Sequence, residues 1–223
     1  MSSLGPDYRL QETTLTRFIA GIAAIATVLF TNTASLQAEE VLLEGYRSKV
    51  TVHSSFRLKG DAKKKFSSFK KHADFYAAMF VNLEEDLVGS IAETTSLELA
   101  VYYARKSCRL KSQQPSQCKL HATITPKKPA ADDGTTLSQH GNIAFRKYQQ
   151  RQVKGKYGAF AMTENGDTGH VWNRDTEIEA TAGALKFCRQ GVSNTARDNT
   201  AFFVQNVIEQ KRDNCRVIHI TQP

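Results

Sequence analysis

Lys156-Tyr-Gly-Ala-Phe-Ala-Met162, then Thr163-Glu-Asn-Gly-Asp167, then Thr168-Gly-His-Val-Trp172: this stretch reads as strand, turn and return strand. Alternation puts Tyr157, Ala159 and Ala161 on one strand face and Phe160 and Met162 on the other. Asn165-Gly166 is the strongest short hairpin signal, because both residues tolerate positive φ. Downstream, Thr176-Glu-Ile-Glu179 is a capping box that opens a helix, in which Ile178, Thr181, Leu185 and Cys188 keep helical spacing. Ala182 and Ala184 would let that helix approach a sheet closely. After a polar excursion holding Phe202-Phe203-Val204, Cys215-Arg-Val-Ile-His-Ile220 reads as a closing strand.

The same order occurs earlier in the chain. A strand is predicted at Phe75–Val81, a return strand at Leu87–Ala92, a helix opened by Thr95-Ser-Leu-Glu98, and a closing strand at Cys118–Ile124. Leu97, Ala100, Val101, Ala104 and Cys108 make the apolar stripe of that helix. Shifted by 80 positions without gaps, Phe80, Glu84, Gly89, Ala100, Ala104, Lys106 and Cys108 meet Phe160, Glu164, Gly169, Ala180, Ala184, Lys186 and Cys188. The fold predicted is therefore α+β, a duplicated β-hairpin–helix–strand unit. Its first repeat spans 61–125 and its second 140–223. A polar linker at 126–139, with two prolines and Asp132-Asp133-Gly134, separates them. Residues 39–60 form an N-terminal extension.

Four cysteines, Cys108, Cys118, Cys188 and Cys215, allow three pairings, and spacing alone does not choose among them. The repeat does: one staple per copy requires Cys108–Cys118 and Cys188–Cys215. Disulfides imply an oxidising compartment, and the N-terminus agrees. Arg17 precedes the apolar run Phe18–Phe30, and a small-residue exit ends at Ala38 before Glu39-Glu40. That order is a signal peptide over 1–38, so the protein is expected in the periplasm or secreted. Beyond it no apolar run reaches the roughly 18 residues that cross a bilayer, so no transmembrane span is expected.

The Gly-Ala-Phe-Ala strand, the aromatic Trp172 after the hairpin, the Ala-rich helix ending in Cys188 and the Cys215-Arg-Val-Ile strand together resemble a secreted bacterial family, domain of unknown function 4189. The likeness covers Tyr157–Ile220 well and Phe75–Ile124 more loosely, since Ile91 or Ala92 stands where Trp is expected and Ala77-Ala78 replaces Gly-Ala. It implies export and this fold, and no activity.

Chemistry-bearing motifs are sparse. The histidines show no zinc-ligand spacing, so neither a metal nor a cofactor is expected. No Gly-x-Ser-x-Gly or phosphate loop occurs, and Glu84-Glu85-Asp86 and Glu164 lie in turns. His121 and His219 hold similar places in the closing strands and read as structural. His170 and Trp172 share a strand face and, with Glu164, are the candidate ligand-contact residues. A basic stretch supplies Lys63, Lys64, Lys65, Lys70 and Lys71, with Asp61 as helix cap and Phe66 and Phe69 on the buried side. With 30 Lys plus Arg against 22 Asp plus Glu, net +8, this face suits an anionic partner. Nucleic acid fits the charge but not the compartment. The leading expectation is a non-catalytic exported protein binding an anionic envelope component. The alternatives are a hydrolase with a groove near His170 and Trp172, or an inhibitor or adhesin presenting Phe202-Phe203 to a partner protein.

Overall fold

Two small antiparallel sheets, each backed by helices, carry the chain. The structure, a computed structural model, describes residues 40–130, 134–198 and 214–222, and of 193–198 the backbone alone. The predicted leader, Asp132-Asp133 and Phe202-Phe203 lie outside the described residues.

Short β1 (Val41–Leu42) and edge strand β2 (Ser48–Val52) precede α1 (Gly60–His72). Then follow β3 (Ala77–Asn82), β4 (Leu87–Ile91), α2 (Leu97–Lys111) and β5 (Lys119–Pro126). The second half has β6 (Thr135–Thr136), α3 (Gln139–Arg151), β7 (Tyr157–Met162), β8 (Thr168–Arg174), α4 (Glu177–Asp198) and β9 (Arg216–Thr221). Sheet orders are β2-β5-β3-β4 and β8-β7-β9, with β1 and β6 pairing in parallel. In both larger sheets the closing strand, β5 or β9, lies antiparallel to the first hairpin strand. The order helix, hairpin, helix, strand thus occurs twice in an α+β fold. Cys108 pairs with Cys118 and Cys188 with Cys215, each with Cα atoms 6.1 Å apart.

The residues shared by the halves make the contact between helix and sheet. Ala100, Ala104 and Cys108 on α2, and Ala180, Ala184 and Cys188 on α4, are fully buried. Gly89 and Gly169 face them so closely that a Cβ on Gly89 would lie 2.2 Å from the Cys108 nitrogen, and one on Gly169 2.0 Å from the Cys188 nitrogen. Only hydrogen fits between helix and strand there.

Several local expectations are corrected. Phe80 pairs with Gly89, but Gly169 pairs with Ala161, while Phe160 pairs with His170. Directly paired residues share a face, so Phe80 faces α2 whereas Phe160 packs on Phe145 of α3. The structural counterpart of Phe80 is Ala161, because the second hairpin turn is one residue shorter and the ungapped match slips across it. Ile178 is 82% exposed, so the buried stripe of α4 is Ala180, Ala184, Cys188 and Val192 instead. Ser96, not Thr95, caps α2 by accepting from the Leu99 N–H at 3.2 Å. The Thr176 hydroxyl accepts from the Glu179 N–H at 3.2 Å, as the capping box requires.

Asp61 does not cap α1. The carboxylate of Asp86, on the hairpin turn, accepts from the Asp61 and Ala62 N–H groups at 2.7 and 2.9 Å. Those two hydrogen bonds hold the Asp86 carboxyl below the usual carboxylate range. Nor is the extension a loose tail. Its β2 edges the first sheet, and buried Glu44 bridges the halves: Tyr76 Oη donates to Glu44 Oε1 at 2.6 Å, and Glu44 N–H donates to Asn142 Oδ1 at 2.9 Å.

Candidate functional site

His170 and Trp172 do share a face of β8, and the strand pattern brings them into an aromatic stack. The His170 ring lies on Phe160 at 5.6 Å and 10°, and Trp172 lies beyond His170 at 5.6 Å and 26°. From α3, Tyr148 meets the edge of His170, and the Arg151 guanidinium sits 5.0 Å over Trp172. His219 on β9 closes the group against Phe145 and Tyr148, its Nδ1 3.2 Å from Tyr148 Oη. Burial lowers the pKa of both imidazoles, and the charges of Arg151 and Lys147 push His170 further down. Neutral rings in a stack whose Phe145, Tyr148 and Phe160 are almost fully buried serve packing first. Glu164 stays apart: it is an exposed turn residue beyond the Met162–Thr168 pair, and its carbonyl accepts from the Thr95 hydroxyl at 2.7 Å. Trp172 stands four residues further along β8 than Thr168, about 13 Å at strand rise.

His121 is likewise structural in its surroundings, stacked on Phe56 at 5.3 Å and edge-on to Phe66 at 4.5 Å. Ser54 Oγ bonds its Nδ1 at 2.6 Å, and burial lowers its pKa, with a smaller push from His53.

The lysine face forms as the helix pattern requires. Ala62 and Phe69 turn inward from α1 and Phe66 is partly buried, while Lys63, Lys64, Lys65, Lys70 and Lys71 are all exposed. Lys65 pairs with Asp61 at 2.9 Å, and the Lys70 ammonium lies 4.7 Å over the Phe66 ring. Asp86 fixes the start of this helix, so the basic surface has a defined base.

A third cluster has no counterpart in the sequence motifs. Asp74 precedes β3, Glu93 follows β4, and His140 lies in the first turn of α3. Glu93 Oε1 accepts a hydrogen bond from His140 Nδ1, which also lies 3.9 Å from Asp74 Oδ2. Burial raises the Glu93 pKa; the bond to His140 opposes that rise, and the Asp74 charge adds to it. Spacing could not reveal this set, because its members come from three segments brought together only by tertiary structure.

Comparison with protein-family models, with curated proteins and with solved structures finds no match to this chain. Among the described residues no helix is long and apolar enough to cross a membrane.

Proposed function

We propose that the protein is exported and acts without catalysis, holding an anionic envelope component against the lysine face of α1. The observation that carries this is the exposure of Lys63, Lys64, Lys65, Lys70 and Lys71 on one helix with Asp61 as the only acid in that helix. Export is supported by the two disulfides and the leader-like segment 1–38. The likeness to the secreted domain of unknown function 4189, and an origin by duplication, belong to the same reading. Duplication is supported by the repeated element order and the shared Gly, Ala and Cys contacts.

Each lysine near an anionic surface contributes about 1 kcal/mol, and salt screens it over a Debye length of about 8 Å. Replacing all five with Gln should weaken binding to vesicles of anionic lipid, or to lipopolysaccharide, by several hundredfold or more. Cosedimentation of the oxidised protein with anionic and zwitterionic vesicles at two salt concentrations tests this. Salt-sensitive binding to anionic vesicles, lost in the five-lysine variant, is expected. Equal binding by parent and variant, or none to any anionic surface, would overturn the proposal.

A further inference from the structure

We propose that Asp74, Glu93 and His140 form a site for a divalent transition-metal ion of the zinc class, where the two halves meet. One ligand atom from each residue lies within 4.8 Å of the other two. Donors bound tetrahedrally at roughly 2.0–2.2 Å from zinc stand about 3.4 Å apart. Glu93 Oε1 is already in contact with His140 Nδ1, and Asp74 Oδ2 must close on the same nitrogen by about half an ångström from 3.9 Å. Side-chain torsions supply shifts of that size without moving backbone.

The backbones around the three residues are fixed independently of any ion. The Glu93 N–H donates to the Asp74 carbonyl at 3.4 Å, and Tyr76 and Thr94 exchange N–H···O bonds at 3.3 and 3.2 Å. The Gln139 N–H donates to the Phe75 carbonyl at 3.1 Å, placing the start of α3 beside the same loop. From the other side Gly166 approaches the Glu93 carbonyl so closely that a Cβ there would lie 2.2 Å from it. The ligand loops are thus stitched together on both flanks.

Charge points the same way. Two carboxylates face one imidazole, which carries at most a single positive charge. A divalent ion neutralises both carboxylates and takes the imidazole in its neutral form. The mixed nitrogen and oxygen donor set suits zinc-class ions, whereas calcium prefers six to eight oxygens. The His140 side chain is 69% exposed, which leaves the outer side of the site open for water or an external ligand. The lysine face has no share in this site.

Titration calorimetry of the purified, untagged, oxidised protein with zinc chloride tests the assignment. One ion per chain is expected, with His140→Ala and Glu93→Gln each weakening it at least tenfold and His72→Ala leaving it unchanged. Absence of saturable binding up to millimolar zinc, or equal affinity in the His140→Ala protein, would overturn it. Imidazole NMR of the unsubstituted protein provides a second reading that needs no variant to fold. The His140 ring signals must shift through the zinc titration, and His140 signals unmoved at saturation would equally refute the site.

Discussion

Replacing Gly169 with Ala probes the contact on which the second half depends. The added methyl would lie 2.0 Å from the Cys188 nitrogen, 2.3 Å from the Ala184 oxygen and 2.6 Å from the Phe187 carbonyl carbon. All three obstacles are backbone, so no side chain can swing aside. Carbon contacts settle near 3.5 Å, and α4 would have to withdraw from β8 by about 1.5 Å. A gap of even 0.5–1 Å forfeits a quarter to a half of each dispersion contact. Ala180, Ala184 and Cys188 would lose such contacts to Ala159, Ala161 and Val171 together. Overpacking costs about 1–3 kcal/mol where neighbours yield; here the cost should reach about 3 kcal/mol or more. At roughly 2–4 °C per kcal/mol for a chain of this size, thermal unfolding should fall by about 6–12 °C. Gly191, one turn further along α4, is the control. A Cβ there meets only the Thr168 oxygen at 3.4 Å and the Asp167 Cβ at 3.9 Å, so Gly191→Ala should stabilise by up to about 1 kcal/mol through helix propensity. Thermal unfolding of both variants with disulfides intact, followed by circular dichroism, decides the matter. A Gly169→Ala protein melting within 2 °C of the parent, or two variants shifting in the same direction by the same amount, would refute the close-approach argument.

Removing each disulfide as a Cys→Ser pair should cost unequal amounts, because the closed loops differ. Sequence separations of 10 and 27 give about 2.7 kcal/mol for Cys108–Cys118 and about 3.6 kcal/mol for Cys188–Cys215 by loop entropy; urea unfolding of the two double variants tests the ranking. Stability should also fall in mild acid. His121, His170 and His219 have pKa values lowered by burial, so the unfolded chain binds protons before the native one does. Their contribution is complete above the ordinary histidine value of about 6.5 and is lost as pH drops below it. Glu44 and Glu93, raised by burial, act in the opposite sense nearer the carboxylate range. His170→Phe keeps the stack on Phe160 and removes one titrating ring, so its stability should decline less between pH 7 and 5 than the parent's. Identical pH profiles would contradict this account of the histidines.

The fold was legible where side-chain period and cysteine placement are local. The β7–β8 hairpin was readable from alternation and Asn165-Gly166, and the disulfide pairing from two cysteines recurring after the same elements. Errors arose where a neighbour distant in sequence decided the outcome. Asp86 lies 25 residues from the Asp61 amide it accepts from, so no cap signal near α1 could disclose it. Ile178 kept helical spacing but falls on the first turn of α4, outside the Ala180–Ala184–Cys188 stripe that Gly169 selects. The Phe80 match was misleading because a one-residue difference in turn length shifts the strand before the turn by one place relative to Gly89 and Gly169, and one place along a strand is the other face. Of the candidate residues, His170 and Trp172 were correctly placed on one face. Their neighbours Phe145, Tyr148 and Arg151 arrive from α3, which spacing along β8 alone could not disclose.

That contrast locates the chemistry. Inside each half the shared residues at the helix–sheet contact are Gly, Ala and Cys, which bring backbones together and offer no side-chain polar group to a ligand. Other polar side chains meet across the junction of the halves and the extension. Glu44 reaches Tyr76 of one half and Asn142 of the other, and Thr95 reaches the Glu164 carbonyl. Asp74 and Glu93 of the first half meet His140 of the second. A single hairpin–helix–strand unit could supply its own core and staple, but it could not assemble these sets. The α1 lysines also differ between the halves: where α1 exposes Lys63, Lys64, Lys65, Lys70 and Lys71, α3 exposes Ile143, Lys147, Gln149, Gln150 and Arg151, so only the first half carries a concentrated basic face.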